Sequence, residues 1–193
     1  MALALPLLAG FALAPLLGGR WGRLAELRLH LLWVFYAAIA LQLVAFPFNA
    51  LPWRTSQQTG VALWLCSYAL FLVCTVRNLR LPGLPLIAAG TLSNVAAVVA
   101  NGGHMPALPA ALRAAGLHYT ISRNSEAAAS PRLAWLVDRW AAPSWVPWAN
   151  VFSVGDLLIA AGGLILALGA TGALRLQARP TRARGTSLEA PAP

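Results

Sequence analysis

Residues 59–76 read Thr59-Gly-Val-Ala-Leu-Trp-Leu-Cys-Ser-Tyr-Ala-Leu-Phe-Leu-Val-Cys-Thr-Val76, a run with no charged residue and no proline. At about 1.5 Å of rise per residue it covers about 27 Å as a helix, close to the ~30 Å of a hydrocarbon core. In lipid every backbone polar group needs a partner within its own element, so such a run must be helical. Four more apolar stretches lie on either side of it: Ala2–Gly19, Leu29–Phe46, Pro82–Ala100 and Val151–Leu174. The sequence therefore predicts an all-α integral membrane protein. Five transmembrane helices fill residues 1–176, and a long extracytoplasmic loop, residues 101–150, separates the fourth from the fifth. Residues 177–193, rich in Pro, Ala and Arg, read as a disordered basic cytoplasmic tail.

Composition agrees with that reading. Of the 193 residues 59% are hydrophobic and 10% charged, which leaves no room for a separate soluble domain beside five spans. The net charge of +9 comes from 14 arginines and no lysine. The arginines flank apolar segments, where they face lipid headgroups, so the charge does not point to nucleic acid. Cys66 and Cys74 share one span about 12 Å apart, too far for a disulfide, and read as packing residues. The first span has no basic residue before it, which distinguishes it from a signal peptide.

Arginine placement gives the orientation. Five spans put Arg20, Arg23, Arg28, Arg77, Arg80, Arg175, Arg179, Arg182 and Arg184 on one side, against Arg54, Arg113, Arg123, Arg132 and Arg139 on the other. The denser side is cytoplasmic by the positive-inside rule. The expectation is a bacterial cytoplasmic (inner) membrane protein, N-terminus outside and C-terminus inside. Gly10, Ala14 and Gly18 in the first span, and Gly163 with Ala167 in the fifth, form small-residue ladders suited to helix contacts, within the bundle or with another subunit.

In the long loop, Pro109 to Gly116 has the proline start and glycine stop of a short helix. Ser130-Pro131 opens a second segment, where Leu133, Leu136, Val137 and Trp140 recur at helical spacing. Trp135, Trp140, Trp145 and Trp148 make this part an interfacial segment on the outer leaflet, or an aromatic surface for a partner or a pigment.

Polar groups inside the spans gather in the outer half. Gln42, Ser67, Asn94 and Asp156 all fall there by rise per residue. Amides and carboxylates are costly in hydrocarbon, so they should face one another or a wet cavity. One outward-facing pocket is the functional reading: these four, roofed by the turn Asn101-Gly102-Gly103-His104. The structural alternatives are a capping box at Ser153-x-x-Asp156, interhelical clasps at Gln42 and Asn94, and a glycine C-cap at 102–103.

Taken together, Arg80-Leu-Pro-Gly83, Asn101-Gly-Gly-x-Met-Pro106 and Ser153-x-Gly-Asp156 resemble an uncharacterised, domain-of-unknown-function family of small bacterial polytopic membrane proteins. The likeness spans about residues 1–175. It implies a five-helix bacterial inner-membrane protein and carries no activity, substrate or cofactor.

No Cys/His/acid set has metal-ligand spacing, and no nucleophile motif or phosphate loop is present. His104 and His118 lie outside and His30 near the cytoplasmic face, so no two can ligate one haem within the bundle; single-His ligation of a pigment stays open. The sequence thus favours a non-catalytic accessory or scaffold subunit of a larger bacterial membrane complex, respiratory or photosynthetic in kind, with other membrane subunits and the lipid bilayer as partners. The alternative is a small-molecule or lipid binding or transport protein using the outward-facing polar pocket.

Overall fold

The computed structural model describes residues 4–45, 56–117, 121–122, 125–143 and 150–174. The tail at 177–193, Trp145, Trp148 and His118 lie outside the described residues. The chain is mostly helical. Its elements in order are α1 (Ala4–Leu13), α2 (Leu32–Ala45), α3 (Gln57–Arg77), α4 (Leu84–Ala100), β1 (Met105–Ala107), α5 (Pro109–Ala114), β2 (Ile121–Ser122), β3 (Ser125–Ala127), β4 (Trp140–Ala141), β5 (Val151–Phe152) and α6 (Val154–Ala170).

Within α3, Gln58–Arg77 is the one helix among the described residues that is long and apolar enough to cross a membrane. The other apolar helices are shorter than the stretches the sequence marks out. Pro15 ends α1 in a short 3-10 turn (Pro15–Leu17) and Gly18 takes φ +79, so the apolar run to residue 19 is only partly α-helical. Likewise, α6 begins after a two-residue strand and is capped at Ser153, not at residue 151.

Neighbouring helices follow the order α2, α3, α4, α6, α1. α1 runs parallel to α6: Leu7 lies against Gly163, and a Cβ on Gly10 would stand 2.7 Å from that of Ala167. Gly10 of the first ladder therefore meets Ala167 of the second within this bundle, whereas a Cβ on Gly18 would meet nothing within 4 Å among the described residues. α4 and α6 are antiparallel and closer still. A Cβ on Gly162 would lie 2.6 Å from the Gly83 carbonyl oxygen, and one on Gly90 would strike that of Gly155. Gly83, at the N-cap of α4, and Gly90 within it, like Gly155, Gly162 and Gly169 on α6, recur every seven residues, so backbone meets backbone at every second turn, with Ile87 and Ile159 packed between those contacts.

The loop folds as a cap over one end of the bundle. β3 pairs with β1 in parallel and with β2 antiparallel, and β4 pairs with β5 antiparallel. Met105 and Val137 enter a buried cluster with Trp64, Ala97 and Val98 that joins cap to helices. A second cluster under α5 holds Ala107, Ala111, Leu112 and Val151. The short helix starting at Pro109 forms as the sequence predicts, and Gly116 after it takes φ +69. The second expected helical segment does not form: residues 132–136 are turns, Leu133 has φ +52 and Trp140 lies in a strand. Tertiary bonds hold it out of a helix. The Asn101 side chain accepts from Arg132 N–H and donates to Arg132 C=O, while Asp138 exchanges backbone bonds with Pro106 and Leu108.

The other end of the bundle gathers residues 18–31, 77–83 and 171–174. Arg20 N–H donates to Thr171 C=O at 2.8 Å. Asn78 pins the start of α2, accepting from His30 N–H and donating to His30 C=O, both at 2.8 Å.

Candidate functional site

At the cap end, α4 and α6 are locked by a closed set of hydrogen bonds. Ser153 Oγ accepts from Asp156 N–H, and Asp156 Oδ2 accepts from Ser153 N–H, a reciprocal capping box. Ser153 Oγ–H donates to Asn94 Oδ1 at 2.8 Å, and Asn94 Nδ2 donates to Asp156 Oδ1 at 2.8 Å. Every polar atom of this node except one amide hydrogen is thus engaged, which suits a buried polar group. Gly155 makes the approach possible, because a Cβ there would overlap the Asn94 amide. The node explains each fixed position of Ser153-x-Gly-Asp156: cap, clearance and clasp.

Asn94 and Asp156 therefore converge, as the pocket reading required, but the other expected members are elsewhere. Asn101 clasps Arg132, as above, and also donates to Ala97 C=O. Gly102 and His104 border a different cavity, with Ser56, Gln58 and Val61. Gly103, at φ +99, leaves room for Val61 where a Cβ would stand 2.6 Å from its Cγ1. Ser67 is wholly buried and donates to Trp64 C=O in its own helix. The single roofed pocket therefore resolves into a satisfied node, a turn and a separate groove, because Asn101 bonds sideways into the cap and not down into the bundle.

Gln42 belongs to that groove. It lines a cavity of about 270 Å³ with Phe35, Ile39, Tyr68, Phe71, Thr91 and Ile159. Thr91 Oγ–H donates to Ile87 C=O. Among the described residues neither the Gln42 side-chain amide nor the Tyr68 hydroxyl has a hydrogen-bond partner. Both residues line the cavity, so a ligand or water that enters it can bond to these groups.

Asp138, which the sequence reading passed over, lies buried where cap meets bundle, and its Oδ1 has no hydrogen-bond partner among the described residues. Burial first, then the nearby Asp156 carboxylate, push its carboxyl up from 3.8 to about 8. Tyr68 lies within electrostatic reach of both acids. Scarcity was the available signal: only five acidic residues occur in the chain, and Asp138 follows an apolar run.

On the outer surface of the cap, the Arg139 guanidinium lies over the Trp135 ring at 4.1 Å and 5.4 Å from Trp140, which stacks on Phe152. Trp135 is 75% exposed and Trp140 37%. Among the described residues no group of three or more His, Cys, Asp or Glu could hold a metal ion, and both cysteines are free.

The fold and node define a class: a helical bundle with a loop-built cap, sealed by glycine contacts and one polar lock. The chain belongs to DUF5317, a family of unknown function, whose profile matches residues 26–168. That interval runs from before α2 nearly to the end of α6 and contains the node, the turn and the groove. No curated protein and no solved structure matches the chain.

Proposed function

We propose that this protein is a five-span bacterial inner-membrane protein that binds an apolar or amphipathic small molecule, or a lipid, in the groove between α2, α3, α4 and α6. The observation that carries this reading is the pair of unpartnered polar groups, Gln42 and Tyr68, facing a cavity walled by Phe35, Ile39, Phe71 and Ile159. An occupant would lay its apolar body against those walls and present a hydrogen-bonding group to the amide and the phenol. The membrane setting is supported by the apolar α3 and by large side chains left exposed on α2, Trp33 at 70% and Tyr36 at 61%. Purification in mild detergent with extraction of bound small molecules tests it. Gln42→Leu with Tyr68→Phe should lower the retained amount several-fold while the protein still folds and unfolds cooperatively. An empty groove in the wild-type protein sinks the proposal.

A second reading is an accessory subunit of a larger membrane complex. Leu32, Tyr36, Ile39 and Leu43 form an exposed stripe on α2, an edge helix that packs chiefly on α3. Co-purification of a stoichiometric membrane partner, lost on Tyr36→Ala, supports it; a lone protein from native membrane counts against it. The orientation, cap outside and arginine-rich end cytoplasmic, rests on the positive-inside bias. Single cysteines at Ser125 and Ser187 in a chain lacking Cys66 and Cys74 test it. An impermeant reagent should label the first and spare the second in intact cells.

A further inference from the structure

At the end of the bundle away from the cap, two cavities share a wall. One, of about 560 Å³, is polar and is bordered by Arg20, Arg23, Glu26 and Thr171 with Gly18 and Gly172. The other, of about 510 Å³, shares Arg23, Glu26 and Gly172 and continues along Leu27, Leu81, Leu166 and Leu174. A charged chamber thus opens beside an apolar one. The Arg23 guanidinium lies directly against Gly172, which has φ +74 and where a Cβ would overlap it. Around the charged chamber the surface is apolar: Leu16 is 81% exposed, and Trp21 is 61% exposed while its indole N–H donates to Phe11 C=O. Such a rim suits the boundary between headgroups and acyl chains.

We infer that this double cavity seats one phospholipid with an amine-bearing headgroup: the phosphodiester on Arg20 and Arg23, the ammonium on Glu26, and the start of an acyl chain along Leu27, Leu81 and Leu166. Charge complementarity selects this occupant. The chamber is bordered by two arginines and one glutamate, so a purely anionic headgroup would meet Glu26 as a like charge, whereas a phosphoethanolamine presents both signs. Arginine suits a phosphate because its planar fork donates two parallel bonds. A primary ammonium can donate to the carboxylate; a trimethylated one carries the same charge but has no N–H to give.

The test is competition for the full-length protein in detergent, read by native mass spectrometry. The lipids are phosphatidylethanolamine, phosphatidylglycerol and phosphatidylcholine with identical acyl chains. Wild type should retain the ethanolamine lipid about tenfold over either competitor, the ratio expected for one charge-assisted hydrogen bond. Glu26→Gln should bring that ratio to near one while a lipid adduct persists, and Arg20→Gln with Arg23→Gln should remove the adduct. Equal retention of all three lipids by wild type overturns the inference without any variant. So does an ethanolamine preference that survives Glu26→Gln.

Discussion

Two of the helix seams in this bundle, α4–α6 and α2–α3, are built on opposite principles. Between α4 and α6, glycines at seven-residue intervals bring backbone against backbone, and the Ser153–Asn94–Asp156 set fixes the register at one end. Between α2 and α3, side chains fill the space: Phe35 packs on Phe71 with ring centroids 5.9 Å apart, and the Asn78–His30 pair ties the far end. At the Gly83, Gly90 and Gly162 contacts the nearest atoms are backbone oxygens, which cannot rotate out of the way, while an aromatic seam can repack. The groove with Gln42 opens where the deformable pair meets the rigid one, which is where a fitted ligand needs one firm wall and one that adapts.

Breaking the glycine seam should have the largest effect. Gly90→Val places a side chain against the Gly155 carbonyl oxygen, and overpacking of this kind costs about 3 kcal/mol at the upper end of its usual range. The expected outcome is a large drop in melting temperature in detergent, or no folded protein. A variant that melts like wild type would mean that the helices separate without penalty.

Opening the polar lock comes next. Asn94→Leu leaves Ser153 Oγ–H and one oxygen of Asp156 without their partner, at about 2 kcal/mol for buried groups left unmatched. Adding Asp156→Asn should cost less than the sum of the single changes, since both act on one network. Strict additivity, measured by thermal or denaturant unfolding, would show that the bonds are not coupled.

The junction between cap and bundle should respond to pH. The Asp138 carboxyl holds its proton up to about pH 8 in the fold, whereas the unfolded group releases it near 3.8. Across that window the native state binds more protons than the unfolded state. Stability contributed by the neutral acid is full below pH 3.8 and falls as pH rises through 8. Asp138→Asn should flatten that slope and leave the protein relatively more stable at pH 8 than wild type. An unchanged slope would exclude Asp138 as its source.

The smallest effect should come from the aromatic seam. Phe71→Leu keeps the position apolar with modest loss of volume, so about 1 kcal/mol is expected. A loss as large as that of Gly90→Val would erase the distinction between the two seams.

Much of this was legible in the chain itself. An uncharged stretch such as 59–76 has one hydrogen-bonded solution in apolar surroundings, so its helix follows from local chemistry. Ser153 three residues before Asp156 gives the cap, because both bonds of the box lie within one turn. Pro109 and Gly116 bound α5 for the same local reason. The pairing of Asn94 with Asp156 could be anticipated only as a need, since a buried amide and carboxylate require partners without saying which.

Tertiary structure decided the rest. Helical spacing after Ser130 failed because Asn101, some thirty residues earlier, takes both backbone groups of Arg132, and long-range bonds outcompete a weak local preference. Gln42 went to the groove because the order α2, α3, α4, α6, α1 keeps α2 from packing closely on α6, and spacing within one helix carries no information about that order. The seven-residue glycine pattern on α4 was present in the sequence, but its partner on α6 lies about seventy residues away in the chain. Asp138 read as one polar residue in a loop; only the closing of the cap over the helices removed it from water and set it beside Asp156. Composition and local spacing fix what each segment must satisfy, and the packing of distant segments fixes with whom.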